Sequence, residues 1–197
     1  MPELRLLTDR QLRQVYRTFV RADFPPSERR SLASIESLRR TGRYDTWGVF
    51  AGEKLLAYAF LWRTAEGHCA LLDYLAVCPD GRGRGLGTQA LELLKEQYGP
   101  SCALLGEAEA PEPGLPPEED RLRRRRIAFY QRAGFRLLDY QSDIFEVRYA
   151  MLAWPGALPL SGAELQKAHR GLYQSHMPPL LFRRMIHIPA AHCGKKE

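Results

Sequence analysis

Between an apolar run and a segment of helical periodicity, residues 78 to 94 read CPDGRGRGLGTQALELL, with glycines at 81, 83, 85 and 87 and arginines at 82 and 84. Glycine lacks Cβ and takes positive φ freely, so successive backbone N–H groups can converge on one point. A helix starting there adds about half a positive charge from its dipole. With arginines able to form charge-assisted hydrogen bonds, this is phosphate-binding chemistry, carried by Arg82, Gly83, Arg84, Gly85, Leu86, Gly87 and Thr88. A merely solvated turn would not need three alternating glycines. From Gly85, G-L-G-T-Q-A also fits the dinucleotide fingerprint G-x-G-x-x-G/A, with Glu107 at the end of the next strand about where a ribose-binding acid belongs. A second cluster, RLRRRR at 121 to 126, could neutralise nucleic-acid phosphates. It opens a helix, so its arginines spread around the circumference, and no aromatic platform accompanies them; nucleic acid is not the expected partner.

The flanking elements must position these groups. Upstream, LTDRQLRQVYRTFVRADF sets Leu12, Val15, Tyr16, Phe19 and Val20 at helical spacing behind a Thr8 or Asp9 cap. SERRSLASIESLRRTG repeats the pattern, with Ser27 as cap, Leu32, Ile35 and Leu38 on one face and Gly42 as terminator. TWGVFAG, KLLAYAFLW and HCALLDYLAV, separated by turn residues, read as consecutive antiparallel strands. After the glycine turn, Leu86, Ala90, Leu91 and Leu94 share one helical face, and CALLGEAEA follows as a strand. Strand, helix and strand in that order imply a right-handed crossover between parallel neighbours. Beyond the proline-rich loop PEPGLPPEED come a helix, DRLRRRRIAFYQRAG, two strands, FRLLDYQ and FEVRYAMLAW, and a last helix opened by a capping box from Ser161 to Glu164. Six parallel strands, as the dinucleotide reading requires, cannot be assembled from this order.

A chain of 197 residues, 45% of them hydrophobic, suffices for one core. No window approaches the roughly 18 apolar residues of a membrane span. MPELRLLTDR carries charge where a signal peptide is apolar, so a cytoplasmic protein is expected. Cys69, Cys78, Cys102 and Cys193 are widely spaced, with no metal-ligand pattern; buried or idle thiols and no metal are expected. The net charge of +6 and pI near 9.3 permit attraction to phosphates and say nothing of fold.

Counted from Arg82, R-G-R-G-L-G resembles the R/Q-x-x-G-x-G/A pyrophosphate loop of the GCN5-related N-acetyltransferases (GNAT). DYLAVCPDGRGRGLGTQALELL is similar to that family's strand, loop and helix for acetyl-coenzyme A (acetyl-CoA). RRRRIAFYQRAGFRLLDY is similar to its later helix and strand, where F-Y followed shortly by G-F is characteristic. The resemblance spans about residues 3 to 152, and residues 153–197 read as a helical appendage and tail packed on or beside the same domain. It implies an α/β (α+β) fold: a mixed central sheet of six to seven strands, helices on both faces, splayed between the fourth and fifth strands. The activity implied is transfer of an acetyl group from acetyl-CoA to a primary amine of a small molecule or peptide by direct attack.

On this resemblance, Leu75, Ala76 and Val77 offer backbone groups to the pantetheine arm as an added strand would, one N–H polarising the thioester carbonyl. Tyr130 matches the tyrosine whose hydroxyl lies near the thioester sulfur and protonates the departing thiolate. Candidates for the base are Glu107 and Glu109, on one side of their strand, and Asp73, two residues before the coenzyme strand. Where many relatives carry asparagine, seven residues before the tyrosine, this chain has Arg123. An acidic lining from Asp73, Glu107 and Glu109 favours a cationic small amine, with a peptide N-terminus or lysine as the alternative. Leu180, Leu181 and Phe182 would pack on the domain or make a homodimer contact.

Overall fold

The structure is a computed structural model that describes residues 1–190; Cys193, read above as an idle thiol, lies outside them. Thr8 caps the first helix reciprocally, its hydroxyl accepting from the Gln11 N–H while the Gln11 side chain accepts from the Thr8 N–H. That helix, α1 (Asp9–Val15), runs through a π-helical turn at Tyr16–Val20 into a short α2 (Arg21–Asp23), burying Leu12, Val15 and Val20. The next cap is Ser31 and not Ser27: the Ser31 hydroxyl accepts from the Ser34 N–H and opens α3 (Leu32–Arg40), while Ser27 sits in a 3-10 turn at Pro26–Glu28. Long-range bonds decide this shift. The Arg30 N–H donates to the Tyr74 hydroxyl at 2.7 Å and the Arg30 carbonyl accepts from the Tyr16 hydroxyl at 2.8 Å, which holds the link out of helix.

Strands β1 (Glu3–Leu6), β2 (Tyr44–Ala51), β3 (Lys54–Arg63) and β4 (Cys69–Val77) pair antiparallel in turn. Helix α4 (Leu86–Tyr98) crosses to β5 (Ala103–Glu109), parallel to β4. Helix α5 (Pro117–Arg132) starts inside the segment expected to be loop, because proline suits the first helical position and Glu118, Glu119 and Asp120 meet the positive end of the dipole. Strands β6 (Arg136–Ile144) and β7 (Val147–Trp154) form a hairpin over Phe145 and Glu146, both at positive φ, and β7 inserts beside β5. Helix α6 (Gly162–Gln174) follows its Ser161–Glu164 capping box, then α7 (Pro179–Met185) and β8 (Ile186–His187).

Among the described residues the sheet therefore has eight strands, in the order β1-β2-β3-β4-β5-β7-β6-β8, against the six to seven expected. The outermost two, β1 and β8, are four and two residues long, too short to carry a readable alternation. One parallel pair in an otherwise antiparallel sheet removes the dinucleotide-fold reading. Alternation along the strands feeds two main cores, one on each face, and a small cluster of Val49, Ala57 and Ala90. Residues of α1, α3 and α6 cover Tyr58, Phe60, Trp62 and Leu71 on one face; α4 and α5 cover Ala59, Leu61, Ala70 and Leu104 on the other. Each large side chain fully buried there adds about 1.5–3 kcal/mol. Leu172 and Tyr173 of α6 and Phe182 of α7 belong to the first core, while Leu180 and Leu181 stay exposed. No described helix is long and apolar enough to cross a membrane.

Candidate active site

Strands β4 and β5 pair from Cys69–Ala103 to Leu72–Gly106 and no further. The cause lies at the next residue. Tyr74 faces Phe60 and Leu72 faces Leu61, so Asp73 is the extra residue of a β-bulge. A bulge bends its strand, and β4 leaves β5 at that point. Leu75, Ala76 and Val77 stay in register with Ala59, Tyr58 and Ala57 of β3, and their other edge is free of β5. A cleft of about 830 Å³ occupies the opening, lined among others by Asp73, Glu107, Tyr130 and Tyr173.

The glycine turn follows β4, and its Arg82 is among the residues that line the cleft. Gly83 (φ +76°) and Gly85 (φ +74°) occupy the left-handed region, and Gly85 is the N-cap of α4 with no side-chain capping bond. The first amides of α4, at Leu86, Gly87 and Thr88, consequently lack partners within the helix. Among the described residues, the N–H groups of Gly83, Arg84 and Gly85 form no backbone hydrogen bond either. A Cβ at 83 or 85 would meet nothing within 4 Å, so backbone conformation demands glycine there, whereas a Cβ at Gly87 would lie 3.4 Å from the Phe129 ring. Arg84 is exposed. The Arg82 guanidinium binds Asp23 at 2.7 Å and the Val77 carbonyl at 3.2 Å, because α2 ends beside the turn. Unclaimed amides, a helix N-terminus and the exposed Arg84 fit a diphosphate.

Inside the fork, the Tyr130 ring packs against Phe129 and Phe135, centroids 5.2 and 5.4 Å away, and over Gly106, where a Cβ would lie 3.9 Å from it. Burial pushes the phenol up to about 12, opposed by the Arg126 guanidinium. The three predicted carboxylates differ in their partners. Asp73 accepts from Arg30 Nε at 3.2 Å and from the Tyr44 hydroxyl, while the Arg30 guanidinium stacks on Trp62 at 4.1 Å. Glu109 pairs with Arg126 at 2.8 Å and lies 3.7 Å from Arg123. Glu107 pairs with no arginine among the described residues; it binds His169 Nε2 at 2.7 Å and accepts from the Tyr173 hydroxyl at 3.1 Å.

Sequence reading missed several of these groups. Half-buried Glu28 also lines the cleft; burial first and Glu109 second raise its pKa, with Arg126 and Arg123 opposing. His176 lines it too, its pKa lowered by burial, Arg30 and Arg43. His169 and Tyr173 were legible as the buried stripe of α6, spaced i, i+4, but not as partners of Glu107. In the arginine run, Arg121, Arg123, Arg124 and Arg126 pair with Glu118, Glu119, Asp120 and Glu109, so acids of this chain already occupy most of it. Arg123, at the asparagine position, donates to the Ala110 carbonyl at 2.8 Å and ties α5 to the end of β5.

The described residues thus form an open mixed sheet that splits at a bulge, with a glycine turn of unclaimed amides beside the split and a buried tyrosine within it. A model of the acetyltransferase (GNAT) family matches residues 10–135, and the chain belongs to that family, the N-acetyltransferases that use acetyl-CoA. Among solved structures, a protein described as a GNAT-family acetyltransferase from Bacteroides thetaiotaomicron aligns with TM-score 0.67 and 23% identity over 93% of this chain and 98% of its own. The ribosomal-protein-S18-alanine N-acetyltransferase of Escherichia coli aligns with TM-score 0.59 and 21% identity, over 82% and 97% of the two chains. Spermidine N-acetyltransferase of Vibrio cholerae, in complex with CoA and spermine, aligns with TM-score 0.58 and 13% identity, over 78% and 94%. No curated protein matches the sequence.

Proposed function

We propose that the protein acetylates a primary amine of a small cationic molecule by direct attack within the fork, with a peptide N-terminus or lysine as the second class of acceptor. One observation carries the reading. Glu107 belongs to the α6 side of the sheet, bonded to His169 and Tyr173, and Tyr130 to the opposite core; a gap between β4 and β5 lets both line one cleft. An acid and a base on opposite faces of a continuous sheet could not share a substrate.

When bound, acetyl-CoA supplies the activated thioester carbonyl. The amides from Gly83 to Thr88, with Arg84, hold its diphosphate. The free edge at Leu75, Ala76 and Val77 holds the pantetheine arm, and one N–H there polarises the carbonyl. Glu107 takes the proton of the acceptor ammonium, its charge not shared with an arginine. Tyr130 keeps the proton that the departing sulfur needs; the burial that weakens this acid also raises the proton affinity of a thiolate beside it. Asp73, bound to Arg30 and Tyr44, is assigned to holding the bulge and not to proton transfer. Residues 1–152 are taken as the catalytic domain and α6 onward as an appendage packed on it. Exposed Leu180 and Leu181 are where a homodimer would form. Buried free thiols at Cys69, Cys78 and Cys102 accord with residence in the reducing cytoplasm.

The test is a thermal-shift comparison followed by an amine panel with a thiol-release readout. Acetyl-CoA, and neither NAD nor NADP, should raise the melting temperature with concentration. Turnover of spermidine-like amines above neutral alcohols supports the acceptor class; turnover of no amine with acetyl-CoA bound overturns it.

A further inference from the structure

The family match ends at residue 135, yet two side chains of α6, beyond it, bond to the lining of the cleft. Both meet one carboxylate. His169 is fully buried, and both of its ring nitrogens are engaged: Nε2 with Glu107 Oε1 at 2.7 Å, Nδ1 with the Tyr140 hydroxyl at 3.1 Å. A carboxylate only accepts, so Nε2 carries the proton of that bond; Nδ1 can then accept from Tyr140. This gives an ordered chain of donors, Tyr140 to His169 to Glu107, that needs no charge on the ring. Tyr173, one turn along the same helix face, donates to Glu107 from the other phenol at 3.1 Å to each oxygen. The Tyr173 ring is itself fixed edge-on against Trp62 at 5.3 Å and against His169 at 5.6 Å.

We infer that His169 and Tyr173 are positioning residues of the acetyl transfer: the C-terminal helix supplies the two neutral donors that orient Glu107 toward the acceptor amine. The inference rests on the reading of Glu107 as the base. Two neutral donors fix the plane of the carboxylate and leave Oε2 with a lone pair that His169 does not occupy. Asp73 and Glu109 are oriented by arginines instead, which also neutralise them. The proton leaves the acceptor nitrogen for a Glu107 oxygen, and the imidazole gains none. Other titratable groups facing this network are Tyr149 from β7, Cys69 from β4 beside Tyr140, and Asp73 and Arg30 beside Tyr173.

Four variants test it: Glu107→Gln, His169→Leu, His169→Gln and Tyr173→Phe. Each is checked for folding by thermal melt, then assayed by thiol release from pH 5.5 to 9.5 with one amine throughout, the best of spermidine, lysine and an alanine-initiated peptide. Glu107→Gln should lose about 100-fold or more in kcat. His169→Leu and Tyr173→Phe should each lose about 10- to 100-fold, as a misplaced group does. In both, KM for acetyl-CoA should stay within about twofold, and the acidic limb of kcat/KM should move to higher pH because the charged carboxylate has lost a donor. His169→Gln, whose amide can still donate, should recover most of the loss and return the limb. Independently of turnover, 15N NMR of the free protein at pH 7.5 should show His169 protonated at Nε2 alone. Wild-type turnover in Glu107→Gln sinks the base reading and this inference with it. A dead Glu107→Gln beside folded His169→Leu and Tyr173→Phe whose limbs do not move sinks the inference alone, as does a His169 protonated at Nδ1 alone.

Discussion

Replacing Tyr130 by phenylalanine removes one oxygen and leaves the packing in place. The ring keeps its contacts with Phe129 and Phe135, and the balance of burial against the Arg126 charge that sets its pKa includes no hydrogen bond. No buried partner is stranded, so stability should change by less than about 1 kcal/mol. The chemical loss is larger. With its pKa near 12, the phenol is almost wholly protonated at neutral pH, so the whole contribution of a positioned acid is at stake. That contribution is about 100- to 10,000-fold, or about 3–5 kcal/mol of barrier at 1.36 kcal/mol per tenfold. Coenzyme contacts are assigned to main-chain amides and the edge of β4, so KM for acetyl-CoA should move less than about twofold. Steady-state thiol release at saturating acetyl-CoA, alongside a thermal melt, measures both quantities. A kcat within threefold of wild type refutes the role; so does a loss that appears in KM while kcat holds.

Three further perturbations follow from the same geometry. Asp73→Ala leaves the Arg30 guanidinium without its carboxylate at a site where the two side chains are only 18% and 16% exposed; urea denaturation should show a loss of about 3 kcal/mol, and less than 1 kcal/mol would deny the pair its part in the bulge. Gly85→Val forces a β-branched residue to φ +74°, at a cost of about 1–2 kcal/mol or a displaced helix start, so calorimetric affinity for CoA should fall at least tenfold; an unchanged affinity would place the diphosphate elsewhere. Alkaline pH is the third. Burial raises Tyr44, Tyr58, Tyr74, Tyr98, Tyr130, Tyr140, Tyr149 and Tyr173 above the ordinary phenol value of 10. Below pH 10 both states keep these protons and stability is intact; above it the unfolded chain alone releases them, so stability falls by up to about 1.4 kcal/mol per pH unit for each tyrosine. Tyrosinate absorbance should therefore rise together with loss of helical circular dichroism, and free titration of most tyrosines near pH 10 in the folded protein would contradict the burial argument.

What the amino-acid sequence determined by itself was local. A capping box closes over three residues, as at Ser161–Glu164; a glycine turn states its need for positive φ at Gly83 and Gly85; apolar periodicity marks α4, and the order of the two motifs identified the family. Partner choice at long range was left to the tertiary structure. Register alone made Asp73 the bulged residue, and so opened the fork between β4 and β5. Asp23 reached Arg82 across 59 residues, His169 reached Glu107 across 62, and the Tyr74 hydroxyl held Arg30 so that the helix cap fell on Ser31. A charged or hydroxyl side chain bonds to whatever the fold sets within about 3 Å of it. Spacing along the chain does not encode that neighbour, so the carboxylates looked alike in sequence and were told apart only by what surrounds them.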